Sequence, residues 1–147
     1  MSSMPMVPAP VVPLFLKKGL ELKDRYVISE PCGSGGFGTV WRATDKQESR
    51  DVAIKRLSTR GADNIVALRQ EADSIIKLKG HKNIVQVFEV FELGGEGFLV
   101  MEYVDGETLE ATLRRHVRSS TWLEQDEALD YAKQTLEGLI YAHASGI

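Results

Sequence analysis

The sequence predicts an α+β fold in which an antiparallel sheet comes first and a group of helices last. Three observations predict it. Short runs rich in β-branched and aromatic residues, separated by glycine or polar turns, fill much of the first half of the chain. One stretch between them, residues 63–79, switches to helical apolar spacing, and the last third of the chain keeps that spacing. Strands grouped ahead of helices fit a layered α+β domain better than a doubly wound parallel sheet.

Residues 1–18 read as a flexible leader, since Pro5, Pro8, Pro10 and Pro13 would break any helix there. A polyproline ligand for a partner domain is the alternative for this segment. From Leu20 onward the composition is that of a folded chain. Residues 26–32 form a first strand, with Pro31 tolerable at a sheet edge. A glycine cluster follows, then strands over 39–44 and 52–57 around the polar turn 45–50, making a meander of three. In 63–79, Ile65, Leu68, Ala72, Ile75 and Ile76 fall on one helix face. Strands over 84–91 and 98–102 come next, split by the Gly94-Gly95-Glu96-Gly97 turn. After a short connector at 103–106, residues 107–116 and 124–145 read as helices. The second carries Leu129, Ala132, Leu136, Leu139 and Ile140 on one face, with Glu124, Asp126 and Glu127 at the positive end of its dipole.

Composition narrows the function classes. The chain has 147 residues, 18 basic and 21 acidic, for a net charge of −3. That balance argues against nucleic acid or an anionic membrane as the main partner, because both need clustered basic charge. The only cysteine, Cys32, allows no internal disulfide, and His81, His116 and His143 are too scattered for a structural zinc site. The longest uncharged stretch, residues 1–16, is shorter than the roughly 18 apolar residues a membrane span needs. Lys17 and Lys18 follow that stretch, where a secretory signal would place charge ahead of it. A cytoplasmic location is the expectation, with membrane anchoring by some other segment left open.

Three features carry chemistry. Gly33-Ser34-Gly35-Gly36-Phe37-Gly38 places four glycines in six residues, a spacing that lets backbone N–H groups approach phosphates closely, or that makes a mobile hairpin turn. A Rossmann loop would open a helix, yet Thr39-Val40-Trp41 is β-branched and aromatic. A P-loop would end in Gly-Lys-Ser/Thr, which is absent. What remains is a glycine loop joining two strands. The second feature is Lys55, which alternation puts on one strand face with Ala53 and Leu57. Glu71 is the third: three residues after Leu68 and four before Ile75, it sits on the apolar face of its helix. A carboxylate there needs a cation, since a buried charge left without its partner costs about 3–5 kcal/mol. Lys55 is the candidate; an edge glutamate bending out to water is the alternative.

Taken together, these residues resemble the protein kinase family. Gly33-x-Gly35-x-x-Gly38-x-Val40 is similar to its glycine-rich loop, and Val52-Ala53-Ile54-Lys55 to its lysine strand. Glu71 falls where the family's C helix carries the lysine's partner. His81-Lys82-Asn83-Ile84-Val85 looks like the approach to the fourth strand, residues 98–109 like the fifth strand and hinge, and 139–147 like the end of the E helix. The resemblance runs from about residue 24 to 147. Its wording is closest to serine/threonine kinases of the bacterial, eukaryotic-like kind.

The resemblance implies an organisation: a small lobe of five antiparallel strands plus the C helix over 19–102, a hinge at 103–106, and the first helices (D and E) of a large lobe over 107–147. It also implies roles. Gly33, Ser34, Gly35, Gly36, Phe37 and Gly38 would cover the ATP phosphates, and Lys55, held by Glu71, would contact them. Cys32, Val40, Ala53, Val85 and Met101 would line the adenine slot, with Met101 as gatekeeper. Backbone groups of Glu102 and Val104 would bond the adenine edge, and Asp105 or Glu107 the ribose. Ile75 and Val87 would join the apolar stack between lobes. Cys32 replaces a larger aliphatic residue, either as a small apolar substitute or as a regulatory thiol. The family's His-Arg-Asp, Asp-Phe-Gly and Ala-Pro-Glu motifs do not occur within these 147 residues. The general base and the Mg²⁺ ligands would therefore lie elsewhere, and no metal ligand is expected in this chain. The expected protein is a kinase fragment that binds ATP, whose parent phosphorylates protein hydroxyls, and which self-associates through an uncovered helix face. A non-catalytic scaffold built on the kinase fold is the alternative.

Overall fold

The computed structural model describes residues 15–35, 38–57, 73, 75, 76, 78 and 80–147. Six strands form one sheet: β1 (Glu21–Leu22), β2 (Tyr26–Gly35), β3 (Gly38–Asp45), β4 (Arg50–Leu57), β5 (Val87–Leu93) and β6 (Glu96–Glu102). Their spatial order is β1-β2-β3-β4-β6-β5, every neighbouring pair antiparallel. Helices α1 (Leu109–Arg118) and α2 (Gln125–Ala144) follow. The α+β class stands as read from the sequence, with one short strand, β1, added to the five expected.

Period-2 alternation decides which side chains go inside. On β4, Val52 and Ile54 are fully buried, and Phe98 and Val100 meet them from β6. Leu22, Tyr26, Ile28, Ala43 and Phe91 complete this core. Each Val, Leu, Ile or Phe side chain among them contributes about 1.5–3 kcal/mol on leaving water. The sheet curls until its two ends meet. The ring of Tyr26 on β2 stacks at 6.1 Å from that of Phe91 on β5, which in turn lies 5.2 Å from Phe98. The Tyr26 hydroxyl also donates to Glu89 of β5, and Lys23 Nζ reaches the other Glu89 oxygen at 2.8 Å.

Beside this contact an ion pair joins the start of β2 to the end of its neighbour β3. Asp45, 1% exposed, accepts from Arg25 Nε at 2.8 Å and Nη2 at 2.7 Å. Its Oδ1 also accepts from the N–H groups of Gln47 and Glu48, shaping the turn into β4. The Arg25 guanidinium, first of all, holds the Asp45 carboxyl below its ordinary range. Burial pushes Glu89 up, but hydrogen bonds from Lys23 and Tyr26 outweigh it and leave the carboxyl below its usual value. Burial, then Glu89, raises the Tyr26 hydroxyl.

Several boundaries differ from those the sequence predicts. β5 starts at Val87 rather than at residue 84 because the preceding segment docks on α2. There His81 stacks on Tyr141 at 4.8 Å, Asn83 Nδ2 donates to Gln134 at 2.9 Å, and Lys82 pairs with Glu137 at 3.4 Å. Gly138 makes this docking possible: a Cβ there would stand 3.3 Å from the Asn83 carbonyl oxygen. The glycine turn shortens to Gly94 and Gly95, both with positive φ, while Glu96 and Gly97 already pair in β6. Helix α1 begins two residues late because Thr108 is its cap, accepting from the Ala111 N–H at 3.1 Å. Pro31 lies beyond the two residues that β1 covers, so its missing N–H breaks no ladder on that side. In the predicted helix 63–79, Asp73, Ile75 and Ile76 are helical, and most of the remainder, Glu71 included, lies outside the described residues.

On α2 the apolar face is open. Leu129, Leu136, Leu139 and Ile140 are each 46–67% exposed. Among the described residues, no helix is long and apolar enough to cross a membrane.

Candidate functional site

Opposite the core, the sheet presents a second face, and its register brings the predicted residues onto it. Val40 pairs with Lys55, Ala53 with Met101, and Lys55 with Leu99. Directly paired residues share a face, so Val40, Ala53, Lys55, Leu99 and Met101 lie on one surface. Val87, paired with Met101, joins them from β5. Ala53 and Val87 are buried, whereas Val40, Lys55 and Met101 are half-buried. The result is an apolar patch with an ammonium group at its edge.

The glycine segment lies at the Lys55 end of β3. Gly33 pairs with Val40, Ser34 with Thr39 and Gly35 with Gly38, so the cluster is the hairpin between β2 and β3. Strand, not helix, follows Gly38, as the β-branched sequence there requires. Gly36 and Phe37 lie outside the described residues. A register shift between Pro31 and Gly33 leaves Cys32 as the extra residue of a bulge. Its Sγ lies 3.5 Å from the Val40 carbonyl, and the thiol is held above its ordinary value mainly by desolvation. Cys32 is exposed, and a thiol raised in this way is a weaker nucleophile at neutral pH.

Where β6 ends, the chain runs through Glu102, Tyr103, Val104 and Asp105 toward α1. The Glu102 N–H donates to the Gln86 carbonyl at 2.8 Å, and its side chain accepts from the Gln86 N–H at 3.2 Å. Val104 is 60% exposed. Val85, also exposed, precedes β5 and lines a concavity of about 420 Å³ with Asn83, Glu102, Val104 and Tyr131. Asp105 is exposed in the connecting segment. Glu107, by contrast, accepts from Thr112 Oγ1 at 3.0 Å and from Arg115, and Arg115 first of all lowers its carboxyl.

Two residues of this region escaped the sequence reading. Arg42, cross-strand from Ala53, extends its guanidinium to 4.7 Å from the Tyr103 ring centroid. Asp51 fixes that guanidinium, with Nε at 3.1 Å from Oδ2, and Glu30 lies 3.5 Å from Nη1. The alternation that places Val40 on this face also places Arg42 there, which is the one signal the sequence offered. Among the described residues no group of three or more His, Cys, Asp or Glu side chains could hold a metal ion.

Comparison with known proteins identifies a family. The family model described as "Protein kinase domain" matches residues 26–147. A protein of Clostridium acetobutylicum named "Probable serine/threonine-protein kinase" is 33% identical over 132 residues, covering 88% of this chain and 19% of its own length. Serine/threonine-protein kinase PknA of Mycobacterium tuberculosis is 36% identical over 137 residues, 88% of this chain and 31% of its own length. The probable serine/threonine-protein kinase pknA2 of Bifidobacterium longum is 34% identical, covering 86% of this chain and 17% of its own length. The chain thus spans between about a sixth and a third of the length of these three relatives.

Proposed function

Because this chain belongs to the protein kinase domain family, we propose that it supplies the ATP-binding part of a serine/threonine protein kinase. The observation that carries this reading is the register of β3, β4 and β6. It sets Lys55 beside an apolar surface of Val40, Ala53 and Met101, at the end of the sheet where the Gly33–Gly38 hairpin turns over. A purine can lie against that surface while the hairpin backbone and the Lys55 ammonium meet the phosphates. In the family's chemistry the γ-phosphoryl then passes to a hydroxyl of a protein substrate.

Each residue has a definite task in this reading. Gly33, Gly35 and Gly38 let the hairpin backbone approach the phosphate chain without side-chain obstruction. Lys55 meets the α- and β-phosphates, and Glu71 is its proposed partner. Met101 closes the inner end of the slot. The Glu102 N–H is spent on Gln86, so Glu102 contacts adenine through its carbonyl, and Val104 supplies the next backbone group. Asp105 takes the ribose, since Glu107 is held by Thr112 and Arg115 at the start of α1. Mg²⁺ accompanies ATP in this family, and the described residues offer no cluster to hold it.

Titration with a fluorescent ATP analogue tests the reading. Lys55→Ala removes one charge-assisted contact and is expected to weaken binding by about 10- to 100-fold. Equal affinity for the two chains would overturn it.

A further inference from the structure

We propose that Arg42 is a positioning residue for the nucleotide base, a clamp that ties the segment after β6 to the roof of the slot. The role depends on the nucleotide reading above, but it is carried by a different observation: one side chain bridges the sheet and the connecting segment. Arg42 is anchored on the sheet by Asp51 of β4 and Glu30 of β2. Its flat guanidinium then lies over the ring of Tyr103, the first residue past β6. Ala53, directly across from Arg42, is too short to reach that far.

The segment is therefore held from both sides. Gln86 bonds Glu102 from the β5 side, and Arg42 covers Tyr103 from the β3 side. These two holds fall on Glu102 and Tyr103, and so set the Glu102 carbonyl and the following Val104 backbone against a base seated under Val40, Ala53 and Met101. Their distance from that roof fixes the width of the slot. A guanidinium suits the task better than an ammonium, because its plane can stack on the ring while its edge pairs with two carboxylates. The clamp acts on the base and not on the phosphates.

Binding of adenosine and of ATP to the purified chain separates the two sites of action. Arg42→Ala is expected to weaken both ligands by the same factor, about two- to fivefold for a partly exposed cation–π contact. Lys55→Ala weakens ATP and leaves adenosine unchanged. Tyr103→Ala reproduces the Arg42→Ala loss, Tyr103→Phe retains wild-type affinity, and the Arg42→Ala/Tyr103→Ala pair is no weaker than either single variant. Thermal unfolding of each variant identifies any that do not fold, and the Tyr103 pair carries the test if Arg42→Ala is one of them. Unchanged adenosine affinity in Arg42→Ala or Tyr103→Ala, or a loss confined to ATP, overturns the clamp while leaving the Lys55 reading intact. A wild-type chain that binds neither ligand overturns both.

Discussion

Replacing Asp45 by alanine should destabilise the fold more than replacing Lys55 or Arg42 on the opposite sheet face. Asp45 is 1% exposed and accepts two short hydrogen bonds from Arg25, whose side chain is 22% exposed. Removing one partner of a buried pair costs about 3–5 kcal/mol because the other charge is stranded. Here Arg25 retains access to water and has Glu89 at 3.9 Å, which favours the lower end, about 3 kcal/mol. For a chain of this size that is a fall in Tm of roughly 6–12 °C. Asp45→Asn keeps an acceptor for the Gln47 and Glu48 N–H groups and should lose less, about 2 kcal/mol. Urea unfolding followed by tryptophan fluorescence measures this, since Trp41 packs against the core while Trp122 is 90% exposed and reports little. The pH dependence has a definite sign. Arg25 lowers the folded-state Asp45 below its ordinary 3.8, so the stabilisation is complete above that value and is lost as pH falls through the folded value. The gap between wild type and Asp45→Ala should therefore stay constant near neutrality and narrow only in acid. A loss below about 1 kcal/mol at pH 7, or a gap that closes between pH 6 and 8, would refute the buried-pair account.

Two further changes test other parts of the structure. Gly138→Ala would ordinarily stabilise a helix by about 0.5–1 kcal/mol. Its Cβ meets the Asn83 carbonyl at 3.3 Å, in a segment pinned by His81, Lys82 and Asn83, so the variant should instead lower Tm by a few degrees, and a rise would contradict the docking. Alkylation of Cys32 by iodoacetamide should be slower at pH 7 than that of an unperturbed thiol and should accelerate only at more alkaline pH, because desolvation raises the group. Faster-than-ordinary reaction at neutral pH would contradict this and support the regulatory-thiol reading.

Much of the site was legible because its residues are close in sequence. The glycine hairpin, Val40, Ala53 and Lys55 lie within 25 residues, and strand alternation alone puts the last three on a common face once β3 and β4 pair. The strand after Gly38 was readable from Thr39, Val40 and Trp41, and this excluded a helix-opening phosphate loop. Helix α1 was placed two residues early although Thr108 is an ordinary cap signal. β1 was missed because two residues carry no periodicity, and the start of β5 because Ile84 and Val85 have strand character but adjoin a segment docked on α2.

The sequence by itself determined the class of fold, the order of its elements and part of the chemistry on offer: a glycine-rich segment between two strands and an ammonium on the next strand. These are local properties, set by side-chain shape and by spacing along a few residues. Only the tertiary structure decided which distant charges meet. Tyr26 and Glu89 are 63 residues apart on strands that do not pair, and nothing in their local surroundings marks them as partners. Arg42 and Tyr103 likewise meet only because β3 and β6 both pair with β4, which sets Arg42 and Met101 in one cross-strand row just before Tyr103. Pairings of that kind are fixed by how the sheet closes, and closure is a property of the whole core rather than of any stretch of sequence.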